Sequence, residues 1–392
     1  MRAALLVLAA LSGSAQAAWI WSDALPVNSV QGAKVFPHLE SANRQGVAVS
    51  DGSVGVVWED NRNGSPQSYL AIKPAPAKKF RTEIRLSQTE CYEPVVVALS
   101  AGRFVAAWEE AGRVHAQVVP GGAAIRLTEI ESAQVTLAAG AGRLYAAWAE
   151  QAGRFRRIVV ASLTATAGTL GVSLTQPVEA AAPGDEQGWP ALAVAGDGSV
   201  TVAWEDRRNR HTVPMASHSS DGRSFASPAR LTDRKSGSVD GLGAGTGAMR
   251  PTLTAWGKRG VAAVWLDKRD FLSGYDVYAA VDEGERHFGR NLKVQDGFGD
   301  NMVQWHAKVV GNTSGRLLAV WDDARDGTPD VWLAEWKGGA FGDNEAIPAA
   351  SGAGAQTDPV AVLDDLGQLH LVWQERDEKR GTRIRYVRGA SR

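Results

Sequence analysis

The stretch Pro190-Ala-Leu-Ala-Val-Ala-Gly-Asp-Gly-Ser-Val-Thr-Val-Ala-Trp204-Glu-Asp206 decides the fold. Two short alternating runs, Leu192-Ala-Val and Val200-Thr-Val-Ala, are split by Gly196-Asp197-Gly198, the pattern of two antiparallel strands joined by a tight turn. The closing phrase, a small apolar run ending in Trp with an acid within two positions, recurs along the chain at Trp58, Trp108, Trp148, Trp204, Trp265, Trp321 and Trp373. Pro94 to Trp108, Pro190 to Trp204, Pro251 to Trp265 and Pro359 to Trp373 are each 14 residues apart, so the unit is rigid between those points.

Downstream of the Trp comes a third strand, as in Asp276-Val-Tyr-Ala-Ala and Asp330-Val-Trp-Leu-Ala, and then a fourth, as in Arg85-Leu-Ser, Arg126-Leu-Thr and Arg230-Leu-Thr. Four antiparallel strands repeated radially make propeller blades. The expected fold is therefore all-β: a seven-bladed β-propeller with blades at about 36–88, 89–128, 129–180, 184–234, 245–297, 300–349 and 354–392. Each unit is roughly 54 residues, close to the ~50 of large-blade repeats. The repeated Trp is expected to pack between neighbouring blades, where each ring would remove on the order of 150–250 Å² from water.

The last unit runs through Leu369-His-Leu-Val-Trp373 and Arg383-Ile-Arg-Tyr-Val387 and stops without a fourth strand, while an orphan segment, Trp19 to Ser29, precedes the first unit. Residues 18–30 are thus predicted to complete the seventh blade and remove an open sheet edge. Ahead of them, Met1 and Arg2, the apolar run Ala3 to Leu11 and Ala15-Gln16-Ala17 read as a signal peptide over residues 1–17. Export to the periplasm or beyond is the expectation, with residues 18–392 forming one domain.

Lys plus Arg number 42 against 43 Asp plus Glu, which gives no basic excess for nucleic acid. No later apolar run approaches the ~18 residues of a membrane span. Cys91 is the only cysteine, so no internal disulfide can form. The seven His are scattered, and His211 and His218 have no ligand spacing; neither metal nor cofactor is expected, and the chain is taken as a monomer.

Ser219-Ser-Asp221-Gly222-Arg-Ser-Phe225, directly after a third strand, resembles the Asp-box of bacterial sialidases and BNR-repeat proteins. Fainter copies lie at Asp282, Gly284 and Phe288 and at Gly338, Gly339 and Phe341. The resemblance implies that the Asp-box stabilises a turn remote from the active face. It also implies that the loops after each Trp lie on the opposite, functional face. Four of those loops share W-x-D-x-R: Asp60 with Arg62, Asp206 with Arg208, Asp267 with Arg269 and Asp323 with Arg325. A motif shared by four blades reads as a loop brace, Asp capping the turn and Arg pairing to it.

Function is sought where the repeat breaks. An insertion from Asp233 to Arg250 contains Asp240 and a Gly-rich run. Beside it in the ring come Asp185, Glu186 and Trp189, and then Asp300, Asn301, Gln304, Trp305 and His306. Indoles among carboxylates and amides suit a sugar, the ring stacking on its apolar face and polar groups fixing its hydroxyls.

The sialidase family implies three Arg, a Tyr nucleophile and an Asp. Its opening Phe/Tyr-Arg-Ile-Pro motif is replaced here by Lys34-Val-Phe-Pro37. A binding module for glycans or envelope and extracellular proteins is therefore favoured. A sialidase-type hydrolase, with Arg250 and Asp300 as candidates, and a polysaccharide lyase, with His306 as base beside Arg250, stand as alternatives.

Overall fold

A computed structural model describes residues 19–32, 34–39, 45–81, 83–166, 168–208, 211–233, 247–269, 274–377 and 381–391. The proposed signal peptide and Asp240 lie outside these residues. Seven antiparallel sheets follow one another along the chain. The fourth is typical, with strands at Gln187–Val194, Val200–Asp206, Val213–Ser219 and Ala229–Arg230 in that spatial order. Among the described residues the helical content is one 3-10 turn, Pro348–Ala350.

The seven repeat Trp are among the most deeply buried side chains. Each sits in a cluster that mixes its own blade with the blade before it. Trp108 packs with Ala48, Val57 and Leu70 of the first blade, Trp148 with Val95 and Val105 of the second, and Trp58 with Val360, Val372 and Ile384 of the last. The last of these contacts closes the ring. All seven inner strands then line one axial channel of about 460 Å³.

In the seventh blade Gly381–Ser391 pairs on one side with Gln368–Asp377 and on the other with the amino-terminal segment, Trp19 opposite Ser391 and Leu25 opposite Tyr386. The orphan segment is the missing outer strand, as its sequence predicted. Pro26 is tolerated because this strand is an edge. A Cβ at Gly389 would stand 2.5 Å from the Trp21 ring, so only glycine lets the indole lie on the sheet. Asn28 Oδ1 accepts the Ile384 N–H at 2.8 Å and ends the pairing. Without disulfides, the mixed Trp clusters and this closure carry the fold. Cys91 is buried, and burial pushes its thiol up to about 12, where it is inert.

Candidate functional site

Near the start of six inner strands one residue, in four blades the one before the spaced Pro, takes an unusual backbone conformation. Glu93, Gln134, Trp189, Arg250, His306 and Asp358 all have φ between 48° and 61°. Each lies in a register shift of its inner strand, between Tyr92 and Val95, Ala133 and Thr136, Gly188 and Ala191, Met249 and Thr252, Trp305 and Lys308, or Thr357 and Val360. These are β-bulges, and Pro suits the following position because the ladder is interrupted there. Residue 44, the corresponding position of the first blade, lies outside the described residues.

Non-glycine residues at positive φ cost on the order of 1 kcal/mol or more each. The surrounding frame offsets that cost in a repeated way. The acid immediately after the Trp of one blade accepts the bulge N–H of the next: Glu59 from Glu93 at 3.1 Å, Glu109 from Gln134, Glu205 from Arg250 at 2.8 Å and Asp322 from Asp358. In the third blade that position is Ala149, and the Gln134 side chain takes over, accepting the Trp189 N–H at 2.8 Å. A Cβ at Gly188 would lie 2.7 Å from that Gln134 oxygen, which explains the glycine.

The second acid of the repeat faces the other way. Asp206 accepts the Trp204 indole N–H at 3.1 Å, the Arg208 backbone N–H at 2.9 Å and its guanidinium at 2.8 Å. Asp60, Asp267 and Asp323 do the same for their own Trp and Arg. Three of these Arg lie over an aromatic ring of the third strand, Arg62 on Tyr69, Arg269 on Tyr278 and Arg325 on Trp332, at 4.0–4.1 Å. The W-x-D-x-R set is a loop brace.

Six bulges of one shape thus present six different side chains at the mouth of the propeller, the ends of the inner strands away from the turns that line the channel. The Arg250 guanidinium lies 3.6 Å from the centre of the Trp189 ring and 3.7 Å from Glu205. His306 is held at both nitrogens, Nδ1 2.7 Å from Asp322 and Nε2 3.3 Å from Asp358. Burial pushes the carboxyls of Glu205 and Asp322 up, against the pull of Arg250 and His306 respectively. His306 keeps 26% of its side chain exposed while Asp322 keeps 3%. The imidazole is therefore the reachable member of that pair, and Asp322 orients it.

Of the candidates read from sequence, Trp189, Arg250 and His306 occupy consecutive bulges, the first two in contact. The others serve their loops. Asp185 Oδ1 accepts the Glu186 N–H at 2.7 Å, and Glu186 accepts the Arg156 N–H at 3.1 Å. Asp300 pairs with Lys293 at 2.9 Å. Gln304 is fully buried and donates to the carbonyls of Gly299 and Met302, both at 2.8 Å. Asn301 is exposed.

Trp305 stands at the rim, its ring 5.2 Å from Tyr275 and 6.3 Å from His306. Residues 219–224 form a tight turn, in which Ser219 Oγ accepts the Gly222 N–H at 2.9 Å and Asp221 that of Arg223 at 2.8 Å; Phe225 packs against the cluster around Trp204. Glu93, Gln134 and Asp358 were missed. The residue before the spaced Pro, which reads Glu, Trp, Arg and Asp at 93, 189, 250 and 358, finds Glu93 and Asp358; Gln134 precedes Val135 and carries no such mark.

Among the described bulge residues there is one Arg and no Tyr, so three guanidiniums and a phenol do not meet there. Among the described residues no three His, Cys, Asp or Glu are arranged to hold a metal ion.

No family model and no curated protein matches the chain. Solved structures do. A protein of unknown function from Dyadobacter fermentans DSM 18053 is 10% identical, covering 95% of this chain and 99% of that one, with a TM-score of 0.60. The polysaccharide lyase Uly1 is 11% identical over 89% and 90%, TM-score 0.58. The α-L-arabinanase of Penicillium chrysogenum, complexed with arabinobiose, is 12% identical over 94% and 98%, TM-score 0.52. At such identities the likeness shows the shared propeller fold.

Proposed function

We propose that the mouth of the propeller binds and hydrolyses a glycan. The observation that carries this reading is the bulge ring: a repeated backbone shape, braced identically where the acid is present, displays a different side chain in each of six blades. A structural position repeats its residue, as the Trp layer does, whereas a site needs unlike groups at fixed places. One face of Trp189 carries the Arg250 guanidinium, and its other face is the surface assigned to a sugar ring.

Asp358, oriented by His306, and Glu93 are the carboxyl groups assigned to bond cleavage. One gives its proton to the glycosidic oxygen as the C1–O bond breaks; water adds to C1 and leaves its proton on the other. Fold neighbours that act on arabinan and on a polysaccharide agree with this reading without deciding it.

Charge narrows the choice further. Glu59, Glu109, Glu205 and Asp322 brace the bulges that carry Glu93, Gln134, Arg250 and Asp358, and this excess of acids over Arg250 and His306 around the ring disfavours a carboxylated sugar. Uncharged polymers outside the cytoplasm are therefore the substrates inferred, in keeping with the export expected from residues 1–17. The test is reducing-sugar release from arabinan, xylan, alginate and a sialoside. Turnover of an uncharged polymer, lowered about 10²–10⁴-fold in His306→Ala or Asp358→Asn, supports the reading. Sialoside release abolished by Arg250→Ala contradicts it. Binding without turnover of any polymer returns the site to a non-catalytic module, which the bracing duty of Glu205 and Asp322 would also serve.

A further inference from the structure

The large aromatic side chains exposed on this protein gather on one face. Among the described residues the exposed aromatics are Phe36, Tyr92, Phe298 and Trp305. All four lie on the loop face. Phe36 N–H donates to Asn61 in a loop after a repeat Trp, Tyr92 and Trp305 each immediately precede a bulge, and Phe298 follows Asp296, which pairs with Arg325. The aliphatics Ile130 and Val303 share that face, while the exposed side chains Val172, Leu174 and Leu366 on the outer edges and opposite face are all aliphatic.

Trp305 stands beside His306, and Phe298 lies seven residues before Trp305 in the preceding inter-blade segment. Trp305 is 38% and Phe298 88% exposed. The Trp305 ring is tilted 48° against Tyr275, which keeps it standing at the rim rather than folded into the core. Burying such a ring would be favourable, and leaving it in water marks a binding surface.

We propose that Trp305, supported by Tyr275, is a second sugar-stacking position outside the mouth, so that the ligand is a glycan chain spanning at least two sites rather than a single terminal sugar. The inference rests on the mouth being a glycan site. A chain is the occupant chosen because Trp305 connects directly to the polar mouth through His306, 6.3 Å away. A narrow aromatic strip leading into a polar pocket fits a polymer of stacked rings and hydroxyls, while a protein partner would ask for a broader apolar core.

The experiment is binding of arabino- and xylo-oligosaccharides of one to six units to the full-length mature protein and to Trp305→Ala and Trp305→Phe. Binding is measured by calorimetry on the Asp358→Asn background so that turnover does not interfere. Affinity should rise about tenfold or more with chain length; Trp305→Ala should remove that increment while leaving the shortest ligand that binds unchanged, and Trp305→Phe should restore most of it. Affinity independent of length, or a loss in Trp305→Ala that is equal for short and long ligands, overturns the second position alone. No binding at any length overturns the glycan reading with it. Near-ultraviolet circular dichroism matching the parent shows that each variant is folded.

Discussion

The seven inner strands have two unlike ends. Toward the turns that line the channel they present Ala48, Ala98, Ala138, Ala193, Ala255 and Gly311 beside Leu137, Leu192 and Leu253, small and aliphatic residues where the strands crowd toward one axis. At the mouth the same strands break register and present Glu93, Gln134, Trp189, Arg250, His306 and Asp358. The difference teaches how a repeat can be uniform in backbone and diverse in chemistry. Packing dictates the residue where the strands converge, and bracing of the main chain alone leaves the side chain free to vary where they part.

The frame should therefore be costly to alter and the mouth cheap. Deleting residues 18–30 reopens the seventh blade and exposes the edge of Gly381–Ser391; the truncated chain is expected to show no cooperative unfolding transition in urea, and a soluble, cooperative product would break the comparison. Trp204→Ala leaves a cavity between the third and fourth blades and should lower stability by about 3–5 kcal/mol, read from chemical denaturation. A cost below ~1 kcal/mol would show that the Trp layer does not carry the fold.

A finer contrast lies in two adjacent residues of one strand. Burial pushes Glu205 up against the pull of Arg250, so its ionisation opposes folding: that penalty sets in as pH rises through the ordinary Glu value and is complete above the raised native one. Asp206 is also pushed by burial, but Arg208 and the Trp204 indole outweigh it and hold the carboxyl below the usual range. Its contribution is present above the ordinary Asp value and lost as pH falls through the lowered native one. Glu205→Gln is thus expected to gain stability relative to the parent as pH rises above about 4. Asp206→Asn should fall behind over the same range. Melting curves from pH 3 to 8 check both; parallel shifts would mean that the two acids share one role. Smallest of all, Glu93→Gln should change stability by no more than about 0.5–1 kcal/mol.

The fold was legible because its cues are periodic. Alternation gave the strands, the Trp-acid phrase gave the blade, and the missing fourth strand after Val387 gave the closure. The site was half legible. Trp189, Arg250 and His306 stood near irregular stretches and drew notice.

Glu93, Gln134 and Asp358 sit in otherwise regular blades, and a left-handed bulge leaves no trace in hydrophobic alternation beyond the Pro that follows Glu93 and Asp358 and that Gln134 lacks. Residue type misled at Gln304 and Asp300, whose polar groups are spent on Gly299, Met302 and Lys293. The acids after each Trp were read as part of one motif, yet Glu205 and Asp206 point to opposite tasks.

The most direct test of the mouth as the working site is a crystal structure of the Asp358→Asn variant soaked with an arabino- or xylo-oligosaccharide that it binds. A sugar ring stacked on Trp189 within reach of His306 and Glu93 is the predicted result. A sugar bound in the small-residue end of the channel or on the outer strands, with the bulge ring empty, would contradict the account.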